Sequence, residues 1–218
     1  MKNAAVILNG CGAKDGSEIH EAVFCLLALQ EQGFNPQAFA IDAPQTEVVD
    51  HLRGTQLKET RNMLTEAARI ARGNILPLSE CSVSAFSCLV IPGGFGTAKN
   101  LCDYARQGAK MSVRPEVETL ITAFYEAKKP IGAVCIAPVI VGKVLGRHGV
   151  TLTLGNDSDA AAHLAGWGAV HQVCKPGDCV VDAQHRIVST PAYMYGDSTL
   201  PPVYYGIRKM VEVLAKLM

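Results

Sequence analysis

The 218-residue sequence lacks an excess of either charge and lacks any long apolar run. It carries 20 basic and 20 acidic residues, without a long stretch of one sign. Because binding to nucleic acid or to an anionic membrane surface depends on clustered lysine and arginine, neither is a predicted partner. Apolar stretches such as 22–29 and 138–145 are far shorter than the roughly 20 residues of a membrane-spanning helix.

Motifs for targeting, phosphate binding and metal binding are also missing. Residues 1–3 lead directly into an apolar strand without the apolar region and cleavage site of a secretory signal, so none is predicted. There is no Asp-rich diphosphate motif and no Walker-type loop. The segment 163–179 contains two histidines and two cysteines without a Cys-x-x-Cys pair or tight histidine spacing. No metal site is therefore predicted.

Eight cysteines are spread along the whole chain. Several, such as Cys25 and Cys88, lie inside apolar periodic segments, where cysteine behaves as a small hydrophobic residue. We interpret most of them as reduced thiols rather than a disulfide framework, and we expect a cytoplasmic protein.

Strand and helix patterns alternate along the chain. Apolar runs predict strands at 4–8, 36–41, 88–91, the segment before Cys135, 180–181 and 187–189. Helical spacing predicts helices from the N-cap Ser17 to Gly33 and over 115–127, 159–165 and 203–217. This order predicts an α/β fold with a mostly parallel sheet covered on both faces. We expect one domain over 1–218, with a helical excursion at about 45–78.

Cys135 lies where an apolar strand turns sharply into a helix. The small neighbours Ala133 and Ala137 allow the strained backbone of a nucleophile turn. The dipole of the following helix is expected to favour a thiolate. A buried core cysteine at a strand end is the alternative interpretation of this segment.

The carboxyl ends of parallel strands form the functional edge of such a sheet. The loop 9–18, the turn 92–96 and Cys135 are all predicted to meet there. Backbone N–H groups of the Gly93-Gly94 turn, together with that of Ile136, are expected to form an oxyanion hole. The same glycines could instead serve only a tight turn.

Acidic and histidine side chains near this edge are candidates for proton transfer. Glu18 could exchange a proton with the thiol, or it could only complement the dipole of its helix. Glu21 and Asp15 lie close by, and spacing alone does not choose among the three. Ile136 rather than histidine follows the cysteine, which leaves as candidate bases His20, His51, His148, His163, His171 and His185.

Seven segments together resemble a known family over nearly the whole chain. They are Asn9-Gly10-Cys11-Gly12, Asp15-Gly16-Ser17-Glu18-Ile19-His20-Glu21, Glu59-Thr60-Arg61-Asn62, Ile91-Pro92-Gly93-Gly94-Phe95-Gly96, Ala98-Lys99-Asn100-Leu101, Cys135-Ile136-Ala137-Pro138 and Thr190-Pro191-Ala192-Tyr193-Met194. The chain resembles the ElbB-type glyoxalases, also described as isoprenoid-biosynthesis proteins with an amidotransferase-like domain. That family belongs to the class I glutamine amidotransferase-like and PfpI-like superfamily.

The resemblance implies a flavodoxin-like three-layer sandwich with the nucleophile on an elbow. It implies Cys135 as nucleophile, Glu18 as its carboxylate partner, and Gly94 and Ile136 as backbone donors. The implied activity is a glutathione-independent conversion of glyoxal-type dicarbonyls to hydroxy acids, without a metal or organic cofactor. A homodimer is also implied. As substrate-binding candidates, we add Asn9, Gly93, Lys99, Asn100, Arg61 and Asn62.

Two histidines that are typical of the superfamily are missing from this sequence, and their absence limits the activities that we expect. The late segment 190–195 has no histidine, unlike glutamine amidotransferases, and Ile136 replaces the histidine that PfpI-like proteases place after the cysteine. Glutaminase and peptidase activities are therefore not expected. Two alternatives to the glyoxalase remain, a cysteine-based redox sensor and a non-catalytic amidotransferase-like binding protein.

Overall fold

The computed structural model describes residues 2–218. Its strands are β1 (Lys2–Ile7), β2 (Phe34–Ala40), β3 (Val48–Asp50), β4 (Thr55–Leu57), β5 (Ile75–Pro77), β6 (Cys88–Ile91), β7 (Ile131–Val134), β8 (Thr151–Leu152), β9 (Val170–His171), β10 (Val180–Asp182) and β11 (Ile187–Thr190). Its α-helices are α1 (Ile19–Glu31), α2 (Met63–Ile70), α3 (Phe95–Asn100), α4 (Tyr104–Gln107), α5 (Pro115–Glu126), α6 (Pro138–Leu145), α7 (Ser158–Gly166) and α8 (Leu200–Lys216).

A seven-stranded sheet in the order β5-β2-β1-β6-β7-β11-β10 forms the centre of the fold. All neighbouring strands run parallel except β10, which is antiparallel to β11. Residues 4–7 of β1 are 0% exposed, since helices cover both of their faces. Burial on both faces explains why this strand is a continuous apolar run. The predicted mostly parallel sheet is confirmed.

Each face of the sheet packs against its own helices. One apolar core joins the sheet to α5, α6 and α7, and the other joins it to α1, α2 and α8. The fold is therefore the predicted three-layer flavodoxin-like sandwich. No helix within residues 2–218 combines the length and the apolar character needed to cross a lipid bilayer.

The first helix begins one residue later than its sequence indicates. Glu18, not Ser17, is the N-cap, because the Glu18 carboxylate accepts the N–H of Glu21 at 2.7 Å. The Ser17 hydroxyl instead accepts the backbone N–H of Asn9 at 2.9 Å inside the protein. The N-cap is the residue whose side-chain oxygen accepts a free N–H group of the first helical turn. The Ser17 hydroxyl cannot do so because it already accepts the N–H of Asn9.

The excursion at 45–78 contains the β3–β4 hairpin and α2, but its end belongs to the main sheet. We expected 75–78 to be a connector, whereas β5 pairs with β2 as an edge strand. A three-residue edge strand makes too short a pattern for its sheet pairing to be seen in the sequence. The late strands at 180–181 and 187–189 are confirmed as β10 and β11.

Gly206 allows α8 to pack closely against the end of β11. A Cβ atom there would lie 2.3 Å from the Pro176 carbonyl oxygen and 2.5 Å from the Thr190 hydroxyl. We expect Gly206→Ala to lower the free energy of unfolding by more than about 1 kcal/mol, because an overpacked contact outweighs the better helix propensity of alanine.

Gly166→Ala is the matched control for this substitution. Gly166 ends α7 and has open space where a Cβ would be placed. Alanine there should leave stability unchanged or raise it by up to about 1 kcal/mol. Urea midpoints measure both variants, and a Gly206→Ala protein as stable as the parent would contradict the packing argument.

Candidate active site

Cys135 occupies a strained turn between β7 and α6. Its backbone has φ +58°, a left-handed conformation that is rare for any residue with a side chain. Two hydrogen bonds hold the turn: the Cys135 N–H donates to the Thr190 carbonyl at 2.9 Å, and the Ala137 N–H donates to the Val134 carbonyl at 2.9 Å. The side chain is 8% exposed, so the sulfur is almost buried but still reaches a cavity.

The Gly93-Gly94 turn after β6 lies against this sulfur. The Gly93 N–H donates to Oε2 of Glu21 at 3.0 Å, and a Cβ atom on Gly93 would lie 2.5 Å from that of Cys135. Gly94 has φ +102°, and a Cβ atom on it would lie 2.4 Å from the Glu18 backbone nitrogen. Both glycines are therefore required by contacts at the site, beyond the needs of the turn.

Glu21 is the carboxyl group that contacts the thiol. It is 0% exposed and lies within hydrogen-bonding reach of the Cys135 side chain, while its Oε1 accepts the Tyr193 N–H at 3.3 Å. Burial, followed by the neighbouring Glu18 carboxylate, raises the pKa of Glu21 to about 8. Glu21 is consequently protonated at neutral pH and can donate a hydrogen bond.

The thiol of Cys135 is not the low-pKa group that the helix dipole suggested. Burial and the adjacent Glu21 raise its pKa well above the ordinary value, and the N–H groups of Gly94 and Ile136 oppose this only in part. The expectation that the helix dipole favours a thiolate was wrong, because it considered the dipole without the desolvation. Any thiolate must form together with proton transfer to a neighbouring group.

Glu18 lies on the wall of the cavity rather than against the sulfur. Its side chain is 13% exposed, and its Oε1 is 3.7 Å from Nδ1 of His20. That His20 nitrogen is also 3.0 Å from the hydroxyl of Tyr193. Among the six candidate histidines, His20 is thus the one placed beside the two cavity residues Glu18 and Tyr193.

The cavity at Cys135 has a volume of about 390 Å³. Its walls are mainly apolar and aromatic, and its two ionisable carboxyl side chains are the N-cap residues of α1 and of α7. The lining residues are Ala13, Glu18, Gly94, Phe95, Ala98, Tyr104, Ala105, Cys135, Ile136, Asp157, Tyr193 and Met194.

Three of the predicted substrate-binding side chains hold loops together instead. Asn9 is buried and donates to the Thr97 hydroxyl at 3.0 Å. Asn100 is also buried and donates to the Asn9 carbonyl at 3.0 Å, and Lys99 pairs with Glu47. None of the three lines the cavity. The Asn9 and Asn100 amide nitrogens and the Lys99 ammonium have partners within the protein, whereas Oδ1 of Asn9 is buried without a hydrogen-bond partner among the described residues. Because none of these groups reaches the cavity, their positions do not support substrate contact.

The remaining polar candidates lie on the excursion. Arg61 is exposed and pairs with Glu59 at 2.9 Å, while the Asn62 side chain caps α2 by accepting the Thr65 N–H at 3.0 Å. Neither lines the cavity. Gly93 borders the sulfur through its backbone and orients the carboxyl of Glu21.

Sequence reasoning did not single out Tyr193 or Asp157, and it did not choose Glu21. Glu21 is three residues after Glu18, which is close to one helical turn, so both carboxyls point toward the same sheet edge. The burial of Glu21 could not be inferred from spacing. Tyr193 follows β11, whose carboxyl end lies beside Cys135, and that topology was the available clue.

Comparison with known proteins places these residues in a family. A family model described as the DJ-1/PfpI family matches residues 11–185. The human "Glutamine amidotransferase-like class 1 domain-containing protein 3, mitochondrial" is 41% identical, over 98% of this chain and 82% of that protein. The zebrafish (Danio rerio) "ES1 protein, mitochondrial" is 30% identical, over 99% and 86% respectively.

Solved structures agree with this assignment. A crystal structure of an isoprenoid biosynthesis protein with amidotransferase-like domain from Ehrlichia chaffeensis superposes with a TM-score of 0.93 at 41% identity, covering 100% of this chain and 99% of that one. Drosophila melanogaster DJ-1beta superposes with a TM-score of 0.56 at 20% identity, covering 98% and 90%, which shows a shared fold.

The raised pKa of Glu21 predicts a pH-dependent stability. The folded protein holds this proton up to about pH 8, whereas the unfolded chain releases it near 4.5. The stabilisation of the folded protein by this bound proton is therefore fully present below pH 4.5 and is lost as the pH rises through 8. Glutamine at this position stays neutral at every pH. We therefore expect the free energy of unfolding of Glu21→Gln to rise relative to that of the parent by a few kcal/mol between pH 5 and 9, at about 1.36 kcal/mol per pH unit.

Urea unfolding at several pH values measures this difference. Glu116→Gln, at an exposed position on α5, is the control and should run parallel to the parent at every pH. Parallel curves for Glu21→Gln and the parent would show that Glu21 ionises normally in the folded protein.

Proposed function

The chain belongs to the DJ-1/PfpI family, and we propose that it is a cofactor-independent glyoxalase acting on dicarbonyls of the glyoxal type. The observation that supports this proposal is the grouping of the Cys135 thiol, which lines the cavity, with one carboxyl group on the cavity wall and a second one buried beside the sulfur. Glu21 contacts the sulfur of Cys135, and Glu18 lies on the cavity wall. A thiol and a proton-carrying carboxyl are the two groups that this isomerisation needs.

In the first step, the thiol adds to one aldehyde carbon of glyoxal. The bond between Sγ of Cys135 and that carbon forms, and the thiol proton passes through Glu21 to the carbonyl oxygen. The N–H groups of Gly94 and Ile136 lower the pKa of Cys135, so they stabilise negative charge on the sulfur as its proton leaves and before the bond to carbon forms. The product of this step is a hemithioacetal.

In the second step, a carboxylate moves one proton between the two carbons. Glu18 takes the proton from the sulfur-bearing carbon and returns it to the neighbouring carbon through an enediol, while the hydroxyl proton shifts from the first oxygen to the second. One carbon is oxidised and the other reduced, so no external electron acceptor takes part. Water then cleaves the resulting thioester, restores the thiol of Cys135 and releases glycolate.

Three substitutions separate these roles. We expect Cys135→Ala to reduce glyoxal consumption to the buffer background. Glu18→Gln keeps an oxygen that can cap α1, and it should lower kcat/KM by about a hundredfold or more while iodoacetamide still labels Cys135 at the parent rate. Glu21→Gln should also lower kcat/KM, and it should shift the labelling profile to lower pH, because the carboxyl that raises the pKa of the thiol is gone.

Glyoxal loss and glycolate formation, followed together, measure turnover, and mass spectrometry of the Cys135 peptide measures labelling. Glu116→Gln is again the matched control. Undiminished turnover by Cys135→Ala would overturn the glyoxalase proposal. Full turnover by Glu18→Gln together with loss in Glu21→Gln would transfer the shuttle role to Glu21.

The same contacts support a redox sensor as the second candidate function. A peroxide would oxidise Cys135 to the sulfenic and then the sulfinic acid, and protonated Glu21 could donate a hydrogen bond to the new oxygens. This function is favoured if peroxide adds two oxygen atoms to Cys135 in preference to the other cysteines while no dicarbonyl is consumed. A non-catalytic binding role would show a stable partner and neither reaction.

A homodimer through α1 is part of the proposal. Ile19, Val23 and Leu27 recur every four residues on one face of this helix and are 42–43% exposed. An aliphatic stripe of this kind favours burial against a second copy. We expect light scattering to give twice the chain mass of 23.2 kDa. Val23→Glu should yield monomers, whereas Thr119→Glu, at an exposed position of α5, should not. A monomeric parent protein would contradict the dimer.

The cytoplasmic location also stays a prediction. All eight cysteines are free thiols in the structure, which suits a reducing compartment. The names of the human and zebrafish relatives place those proteins in mitochondria.

A further inference from the structure

We propose that the cavity at Cys135 is built for dicarbonyls that carry a neutral or cationic apolar group, such as arylglyoxals, and that it rejects carbonyl compounds that carry a carboxylate. This inference rests on the proposed glyoxalase function and specifies its substrate class. Three features of the cavity lead to it: the sign of its charges, its size, and the chemistry of its walls.

The charged side chains that line the cavity are both acidic. Glu18 and Asp157 contribute carboxylates, and no lysine or arginine of the part that the structure describes lines the cavity. Lys99, on α3 nearby, is paired with Glu47 and donates to the Lys14 carbonyl at 2.9 Å. Two carboxylates in a partly enclosed, apolar space repel a third, because the low local dielectric strengthens the interaction.

A histidine near the mouth does not reverse this charge pattern. His20 is 52% exposed in its side chain, so water screens it, and it faces the Glu18 carboxylate and the Tyr193 hydroxyl. Its charge, when present, acts first on Glu18. Asp157 is half-buried at the N-cap of α7, the titratable groups near it include Tyr104 and His171, and no lysine or arginine of the lining set offsets its charge.

The cavity is much larger than glyoxal requires. A volume of about 390 Å³ falls in the range that holds drug-sized ligands, whereas glyoxal has only four heavy atoms. Phe95, Tyr104, Tyr193, Met194 and Ile136 supply the walls. An aryl ring can pack edge or face against the three aromatic side chains. A cationic substituent is attracted to the faces of Tyr104 and Tyr193, whereas the Phe95 ring already has the Lys99 ammonium 5.5 Å from its centroid.

The charge pattern also fits the direction of the proposed reaction. The dicarbonyl group of the substrate is uncharged, whereas the hydroxy-acid product carries a carboxylate in its place at neutral pH. Glu18 and Asp157 would repel that product, so its release is favoured and inhibition by product is weak. A site built to bind carboxylates would retain its own product.

Asp157 offers a substitution that removes charge without removing structure. Its Oδ1 caps α7 by accepting the N–H groups of Asp159 at 3.1 Å and Ala160 at 2.9 Å. Asparagine keeps that oxygen and is an equally good cap. Asp159→Asn is the matched control, since Asp159 lies in the same turn, is exposed and does not line the cavity.

The first experiment compares two arylglyoxals that differ only in the charge of the para substituent, trimethylammonium or carboxylate. In the parent protein we expect kcat/KM to favour the cationic compound by about tenfold or more. Asp157→Asn should reduce this ratio severalfold, and Asp159→Asn should leave it unchanged. Equal kcat/KM for the two compounds in a protein that consumes glyoxal would overturn the inference.

The second experiment does not depend on turnover. Iodoacetate and iodoacetamide alkylate the same sulfur and differ in charge, and their rates at Cys135 are each divided by the rates on the urea-unfolded chain. We expect the normalised rate of iodoacetate to be about tenfold below that of iodoacetamide, and Asp157→Asn to relieve part of this difference.

The two experiments separate the two proposals. Discrimination against iodoacetate with no dicarbonyl consumed would uphold the charge selection and overturn the glyoxalase function. Dicarbonyl consumption without discrimination, or an equal effect of Asp159→Asn and Asp157→Asn, would uphold the glyoxalase function and overturn the charge selection.

Discussion

The buried carboxyl of Glu21 is the contact on which the rest of the site depends. It joins α1 to the turn after β6 through the Gly93 N–H, to the segment after β11 through the Tyr193 N–H, and to the elbow through the Cys135 thiol. A buried carboxyl with no cation beside it keeps its proton, so this junction is neutral at pH 7. The site is thereby held together by a group that can also move a proton.

The reactivity of Cys135 follows from burial as much as from the helix that comes after it. Desolvation and Glu21 hold the proton on the sulfur, while two backbone N–H groups favour its loss. Because these effects oppose each other, the thiol keeps its proton until a substrate is bound. It reacts when the substrate can accept the thiol proton or the negative charge of the sulfur. They also explain why one arrangement suits both carbonyl addition and controlled oxidation.

Predictions from local pattern succeeded where the physical cause is local. The apolar run of β1, the sheet with two covered faces, the glycine turn and the cysteine turn follow from burial periodicity and backbone sterics. The structure did not support the prediction that Asn9, Lys99 and Asn100 bind substrate. Polar residues near a sheet edge can bind substrate or can form hydrogen bonds within the loops, and the sequence looks the same in both cases. Glu18 and Glu21 could not be told apart for a similar reason, since both face the same edge.

By itself the sequence determined the α/β class, the position of the elbow and the three segments that meet at the carboxyl ends of the strands: the loop 9–18, the turn 92–96 and the turn at Cys135. Those properties depend on hydrophobic spacing and on which backbone angles a residue tolerates. Only the tertiary structure decided which carboxyl reaches the sulfur, the direction of the pKa of Cys135, and the acidic lining of the cavity. These depend on desolvation and on distances between α1, β7 and α7, which meet only when the chain is folded.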